Sequence, residues 1–295
     1  MIEPVDQWIE LPTGVELHLV RWDPVEATGV PHLLVHGLAS NARLWDGVGR
    51  HLAEAGHPAV AVDQRGHGRS SKPDGPYDMV TVADDLLALV DALGWERPAV
   101  AGQSWGGNVV LEYGYRHPGR AQVVSCVDGG FIDLGGRFGT WEEVSTALAP
   151  PKLAGLRFDS VRDRLASLNA DWPEEGRAGT LANFEVLDDG TITPWLTYER
   201  HLEVLRGLWL HRPSERYPVM EVPVLLIVAD TGEVAWTHSK EEAVDAAVAA
   251  LPSGRAAWFR PAHHDVHAQR PAEVADLLRR AAIEPDFFTG GAPRG

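Results

Sequence analysis

PAVAGQSWGGNVVLEYGYRHP, residues 98–118, decides how this chain folds. It begins as a short apolar run, turns through GQSWGG at 102–107, and continues with apolar residues at helical three-to-four spacing. A strand that passes directly into a helix through such a turn is a nucleophile elbow. Gly102 and Gly106 are required because side chains there would collide as strand and helix close on each other. The turn forces Ser104 into a strained conformation, with its hydroxyl above the sheet at the positive end of the following helix.

The same alternation extends in both directions. HLLVHG (32–37), PAVAVD (58–63), VVSCVD (123–128), VPVLLIVAD (222–230) and RAAWFR (255–260) read as buried strands. ARLWDGVGRHLAEAG (42–56), TVADDLLALVDALGW (81–95), KEEAVDAAVAALP (240–252) and PAEVADLLRRAA (271–282) read as helices between them. Strand and helix in turn predict an α/β fold, a doubly wound and mostly parallel sheet with helices on both faces. WIELPTGVELHLVRW (8–22) predicts an antiparallel hairpin around Pro12-Thr13-Gly14 at the sheet edge.

The alternation stops after Asp128 and resumes at Val222. This predicts a core of residues 1–129 and 221–295 that carries a helical cap, or lid, at 130–220. Helical patterns fall at RFDSVRDRLASLN (157–169) and LTYERHLEVLRGLWL (196–210), and DDGTITPW (188–195) interrupts them with a turn. Trp141, Trp172, Trp195 and Trp209, with Phe131, Phe138, Phe158 and Phe184, either line a pocket or form the cap's own core. The tail TGGAPRG (289–295) has the composition of a frayed end.

Composition bounds the function. With 26 Lys plus Arg against 42 Asp plus Glu, the formal charge of −16 repels phosphate backbones and anionic lipids, so no nucleic acid and no membrane partner is expected. No apolar run reaches the roughly 18 residues of a membrane span. The opening MIEPVDQWIELPTGVELHLV lacks a signal pattern, so a cytoplasmic location is expected. Cys126, the one cysteine, has no internal partner for a disulfide and reads as a small buried residue in VVSCV.

A serine hydroxyl is a poor nucleophile at neutral pH and needs a positioned base, usually histidine. Of 13 histidines, His264 in AHHDVHAQRP lies in the loop after the last strand, where a doubly wound sheet gathers its site. His263 and His267 are the adjacent alternatives. HHDVH has neither a cysteine nor a paired-histidine helix motif beside it, so no metal is expected.

LLVHGLASNARLW (33–45), VDQRGHGRSSKP (62–73), GQSWGG and HHDVHAQRP, in this order, resemble the cap-bearing α/β-hydrolase family over nearly the whole chain. In that family the base is the histidine seven residues before the proline of the last motif, which is His264 before Pro271. The resemblance implies that the amides of Leu38 and Trp105 form an oxyanion hole, that His36 and the loop 63–70 are scaffold, and that no cofactor is needed. The family's commonest acid position counts to Gly232, so the expected aspartate is missing. Asp128 occupies a second location used by some members, and Glu233, then Asp230, are the alternative acids. Related dehalogenases and epoxide hydrolases share a tryptophan like Trp105 but use an aspartate nucleophile, which Ser104 excludes here.

These readings predict a serine hydrolase that cleaves an ester or lactone of a small, largely apolar substrate through an acyl-enzyme. C–C or amide cleavage by the same triad is the alternative. An aminopeptidase-like member would bind a free amino terminus with cap carboxylates such as Glu142, Glu143, Glu174 and Glu175, which read more simply as a solvated helix face. A non-catalytic small-ligand receptor on the same fold is the alternative of a different class.

Overall fold

The computed structural model describes residues 2–289, the side chains of 234–236 excepted, and residues 290–295 of the expected frayed tail lie outside it. Among the described residues ten strands form in chain order: β1 (Val5–Glu10), β2 (Glu16–Trp22), β3 (His32–Val35), β4 (Ala59–Val62), β5 (Ala99–Gln103), β6 (Val123–Val127), β7 (Phe184–Val186), β8 (Ile192–Pro194), β9 (Val224–Ala229) and β10 (Gly254–Phe259). Eight of them make one sheet in the order β1-β2-β4-β3-β5-β6-β9-β10. The β1–β2 and β2–β4 pairs are antiparallel and the other neighbours run parallel. The edge hairpin turns at Gly14, whose φ of 81° suits a residue without a side chain.

Helices α1 (Asp46–Glu54), α2 (Met79–Ala92) and α3 (Trp105–Arg116) alternate with the first parallel strands. Helices α4 (Leu134–Arg137), α5 (Trp141–Ala147), α6 (Phe158–Leu168), α7 (Glu174–Leu181) and α8 (Tyr198–Leu210) lie between β6 and β9, α9 (Val234–Ala250) lies between β9 and β10, and α10 (Val266–Gln269) and α11 (Pro271–Ile283) follow β10. Strand residues sort by their period of two. Leu33, Val35, Val100 and Leu226 pack under α2, α3 and α9, while Leu34, Ala59, Ala61 and Ala101 pack under α1 and α11. Both faces of each central strand are therefore buried, which is why these strands read as continuous apolar runs.

Besides its helices, the segment between β6 and β9 holds the β7–β8 hairpin, which the sequence reads only as a turn. Its strands have three residues each and the first is half-buried to exposed, so no apolar alternation announces them. Val144, Val204, Leu205 and Leu208 of this insertion join the core cluster of α2 and α3, which seats the insertion on the sheet domain. Among the described residues no helix is long and apolar enough to cross a membrane.

Candidate active site

The chain leaves β5 and enters α3 within one residue, and Ser104 takes φ 53° and ψ −122° at that junction. A side chain at Gly102 would sit 2.1 Å from the carbonyl oxygen of Gly106, and one at Gly106 would sit 2.3 Å from that of His36. Strand and helix thus meet at backbone distance, and the strain on Ser104 is held by what surrounds it. The Ser104 amide donates to Val127 O of β6 at 2.9 Å. Ser104 is half-buried at the sheet's C-terminal edge.

His264 follows β10, and its carbonyl lies 3.4 Å from Gln103 Nε2, which brings the loop beside the elbow. Its Nδ1 donates to Asp128 Oδ2 at 2.6 Å. The desolvation that acts to lower the imidazole's pKa is outweighed by the Asp128 hydrogen bond and the charges of Asp265 and Asp128, so it rises above the ordinary value. Ser104 Oγ and His264 Nε2 have no protein hydrogen-bond partner among the described residues. Contacts of this kind often tighten only when substrate binds.

Asp128 follows β6 and turns there with φ 44°. Its carboxylate is 2% exposed. Burial acts to raise its pKa, but the hydrogen bond and charge of His264, with those of Lys240, bring it below the usual carboxylate value. The two alternative acids turn elsewhere. Asp230 Oδ1 accepts from the Gly232 amide at 2.9 Å and Thr237 Oγ1 at 2.7 Å, and Oδ2 pairs with Arg260 Nε at 3.0 Å. Glu233 is exposed at the start of α9. His264 therefore meets Asp128, and neither Glu233 nor Asp230. The adjacent histidines are separated as well: His263 is exposed with its ring edge on Trp172, and His267 is fully buried against Trp45 at 4.3 Å between centroids.

Lys240 is the site residue that the sequence reading missed. Its ammonium lies 2.9 and 3.0 Å from the two Asp128 oxygens. It sits in a helix pattern rich in alanine and acids, where a lysine reads as solvated surface, and no sequence signal marks it.

The turn after β3 packs against the elbow. A side chain on Gly37 would come within 3.1 Å of Ser104 Cβ. Among the described residues, the amides of Leu38, next in the chain, and of Trp105, in the first turn of α3, have no protein acceptor. His36 Nδ1 donates to Gly37 O at 2.7 Å and Nε2 accepts from the Gln64 amide at 3.0 Å, so one neutral tautomer braces the turn. Burial holds its pKa down. Asp63 knits the loop that follows: it accepts from the Ala42 amide at 2.7 Å, the Arg69 amide at 2.9 Å and His18 Nδ1 at 2.7 Å.

A cavity of about 880 Å³ opens beside this turn, between Ala39 and Ser40 on one side and residues of α6, α7, α8 and the β7–β8 hairpin on the other. Leu153, Leu165, Phe184, Trp195 and Leu196 make most of its wall apolar, and His201, whose pKa burial lowers, adds a polar group. Trp195 is thus the one tryptophan of the insertion on this wall. Trp172 is buried against Leu44 and Ala268, while Trp141 and Trp209 pack on each other at 5.9 Å. Two of the four cap carboxylates serve the local fold: Glu143 closes a capping box with Thr140, and Glu175 pairs with Arg50 at 2.7 Å. Cys126 is buried, its thiol pKa pushed up by desolvation.

Residues 31–235 match the family model described as alpha/beta hydrolase fold, and the chain belongs to that family. Over 124 residues it is 32% identical to an epoxide hydrolase B of Mycobacterium tuberculosis, covering 41% of this chain and 35% of that protein. Over 118 residues it is 36% identical to a non-heme chloroperoxidase of Streptomyces lividans, covering 39% of this chain and 42% of that one. The chain spans less than half the length of these curated relatives. A solved thioesterase domain from a curacin biosynthetic pathway shares the fold, with a TM-score of 0.75 at 17% identity over 94% of this chain and 99% of that one.

Proposed function

We propose that this chain is a serine hydrolase that cleaves a carboxylic ester or lactone of a small, largely apolar substrate through an acyl-enzyme. The observation that carries the reading is the 2.6 Å bond from His264 Nδ1 to buried Asp128, in a loop held against the Ser104 elbow. An imidazole fixed in that tautomer keeps its Nε2 lone pair free to act as a base.

Ser104 Oγ attacks the substrate carbonyl carbon and its proton passes to His264 Nε2. The Leu38 and Trp105 amides receive the negative charge that develops on the carbonyl oxygen, and one such donor is worth about 10²–10³ in rate. On collapse the imidazolium protonates the leaving alkoxide, which departs as an alcohol or, in a lactone, stays tethered as a hydroxyl. Water then attacks the acyl-enzyme, gives its proton to His264, and releases the acid and Ser104. The apolar cavity supports a substrate with a hydrophobic acyl or ring portion, since its volume lies in the range of small-molecule sites.

The test is kcat/KM over p-nitrophenyl esters, lactones, aminoacyl amides and β-diketones, with fluorophosphonate labelling of Ser104. Esters or lactones are expected to lead, and Ser104→Ala to lose at least about 10³ in kcat. A panel led by amides or β-diketones would move the reaction to amide or C–C cleavage. An enzyme that neither labels nor turns over any of them would be a ligand receptor.

A further inference from the structure

We propose that Lys240 is a positioning residue of this triad: it clamps Asp128 so that one carboxylate oxygen faces His264, and it shares that carboxylate's charge with the imidazole. The proposal rests on the hydrolase reading above, and its test separates the two.

The need for a clamp follows from strand order. His264 follows β10 and Asp128 follows β6, with β9 between them. The carboxylate therefore reaches past the end of β9, where the Ala229 amide donates to Oδ1 at 3.1 Å. A single amide leaves the second oxygen free to swing about χ2, a soft torsion for aspartate. Lys240 removes that freedom. Reaching over from α9, its Nζ donates to Oδ1 at 2.9 Å, to Oδ2 at 3.0 Å and to Ala229 O at 2.6 Å, which occupies its three protons. Oδ2 is left facing His264 Nδ1 at 2.6 Å.

The same contacts set a charge balance. One buried carboxylate is flanked by the Lys240 ammonium and by a group that becomes cationic during catalysis. The Nζ–Oδ2–Nδ1 path, 3.0 and 2.6 Å in its two legs, keeps the ammonium close to the imidazole. Other titratable groups near His264 are Asp265 and His263 beside it in the loop and His267 on α10, and Lys240 is the ammonium that acts on it. Asp128 and Asp265 favour the imidazolium and Lys240 opposes it. Lys240 thus limits how far the base is pulled toward its protonated, inactive form. At a separation of about 6 Å and an effective dielectric between about 40 and 80, the opposition is worth roughly half to one pKa unit.

The experiment compares wild type with Lys240→Met and Lys240→Arg. His264 is titrated by imidazole NMR, assigned with His264→Gln, and kcat/KM for a p-nitrophenyl ester is followed against pH. Lys240→Met is expected to raise the His264 pKa and the acid limb of kcat/KM together by about half to one unit, a loss of roughly three- to tenfold at acid pH. Lys240→Arg is expected to recover the wild-type titration. Should Lys240→Met fail to fold, Lys240→Gln, which keeps a donor without the charge, serves in its place. Coincident titrations and coincident acid limbs in wild type and the neutral variant would overturn the proposal. A shifted titration with an unshifted rate profile would uphold the Lys240 coupling and refute His264 as the base.

Discussion

Asp128→Asn tests the assembled site most sharply, because the structure says which way the amide must turn. Oδ1 of Asp128 faces two donors, the Ala229 amide at 3.1 Å and Lys240 Nζ at 2.9 Å. An asparagine satisfies both only by placing its oxygen there, which leaves its NH2 group facing His264 Nδ1. Nδ1 then becomes an acceptor, the ring proton moves to Nε2, and the lone pair that would accept the Ser104 proton is gone. The analogous change in a well-studied triad costs about 10⁴ in kcat, or roughly 5–6 kcal/mol of transition-state stabilisation. The assay is kcat for a p-nitrophenyl ester, with circular dichroism to verify the fold. Glu233→Gln is expected to stay within about twofold of wild type, since that side chain is exposed. An Asp128→Asn enzyme within about tenfold of wild type, or a Glu233→Gln enzyme equally impaired, would refute the assignment.

Three further outcomes are expected. The base must be neutral to act, and the His264 pKa lies above 6.5, so kcat/KM should rise with pH through a value above 6.5 and fall about tenfold per unit below it; an acid limb well under 6.5 would contradict the Asp128 contact. Asp63, lowered from 3.8 to about 2, contributes stability that is in place above its unfolded value and is lost as pH falls toward 2, roughly 2 kcal/mol in all. Asp63→Ala should accordingly destabilise by about 3–5 kcal/mol, through the amides and His18 left without an acceptor, as read by urea unfolding. Leu165→Trp narrows the cavity wall, and kcat/KM for octanoate esters should fall more than that for acetate esters.

Much of the fold was legible because its physics is local. Strands buried on both faces must be apolar throughout, so the runs ending at Val35, Val62, Gln103 and Val127 stood out against helices with one apolar stripe. The insertion was less legible. With three residues in each strand the β7–β8 hairpin is too short to carry an alternation, and four similar tryptophans went to three environments that only packing distinguishes. Lys240 was invisible for the same reason: a lysine among alanines and acids on a helix says nothing about what its ammonium reaches.

The sequence by itself determined the elbow at Ser104 and the loop that carries His264, because both are set by contiguous residues: glycines where backbones touch, a strand before, a helix after. Choosing among Asp128, Glu233 and Asp230 required the tertiary structure. All three lie near strand ends at the same edge of the sheet, and which carboxylate faces His264 depends on side-chain direction across β6, β9 and β10. Arg260, Thr237 and the Gly232 amide turn Asp230 away, while Ala229 and Lys240 turn Asp128 in. Those partners lie up to 112 residues from the aspartate they orient, a separation that only the folded sheet closes.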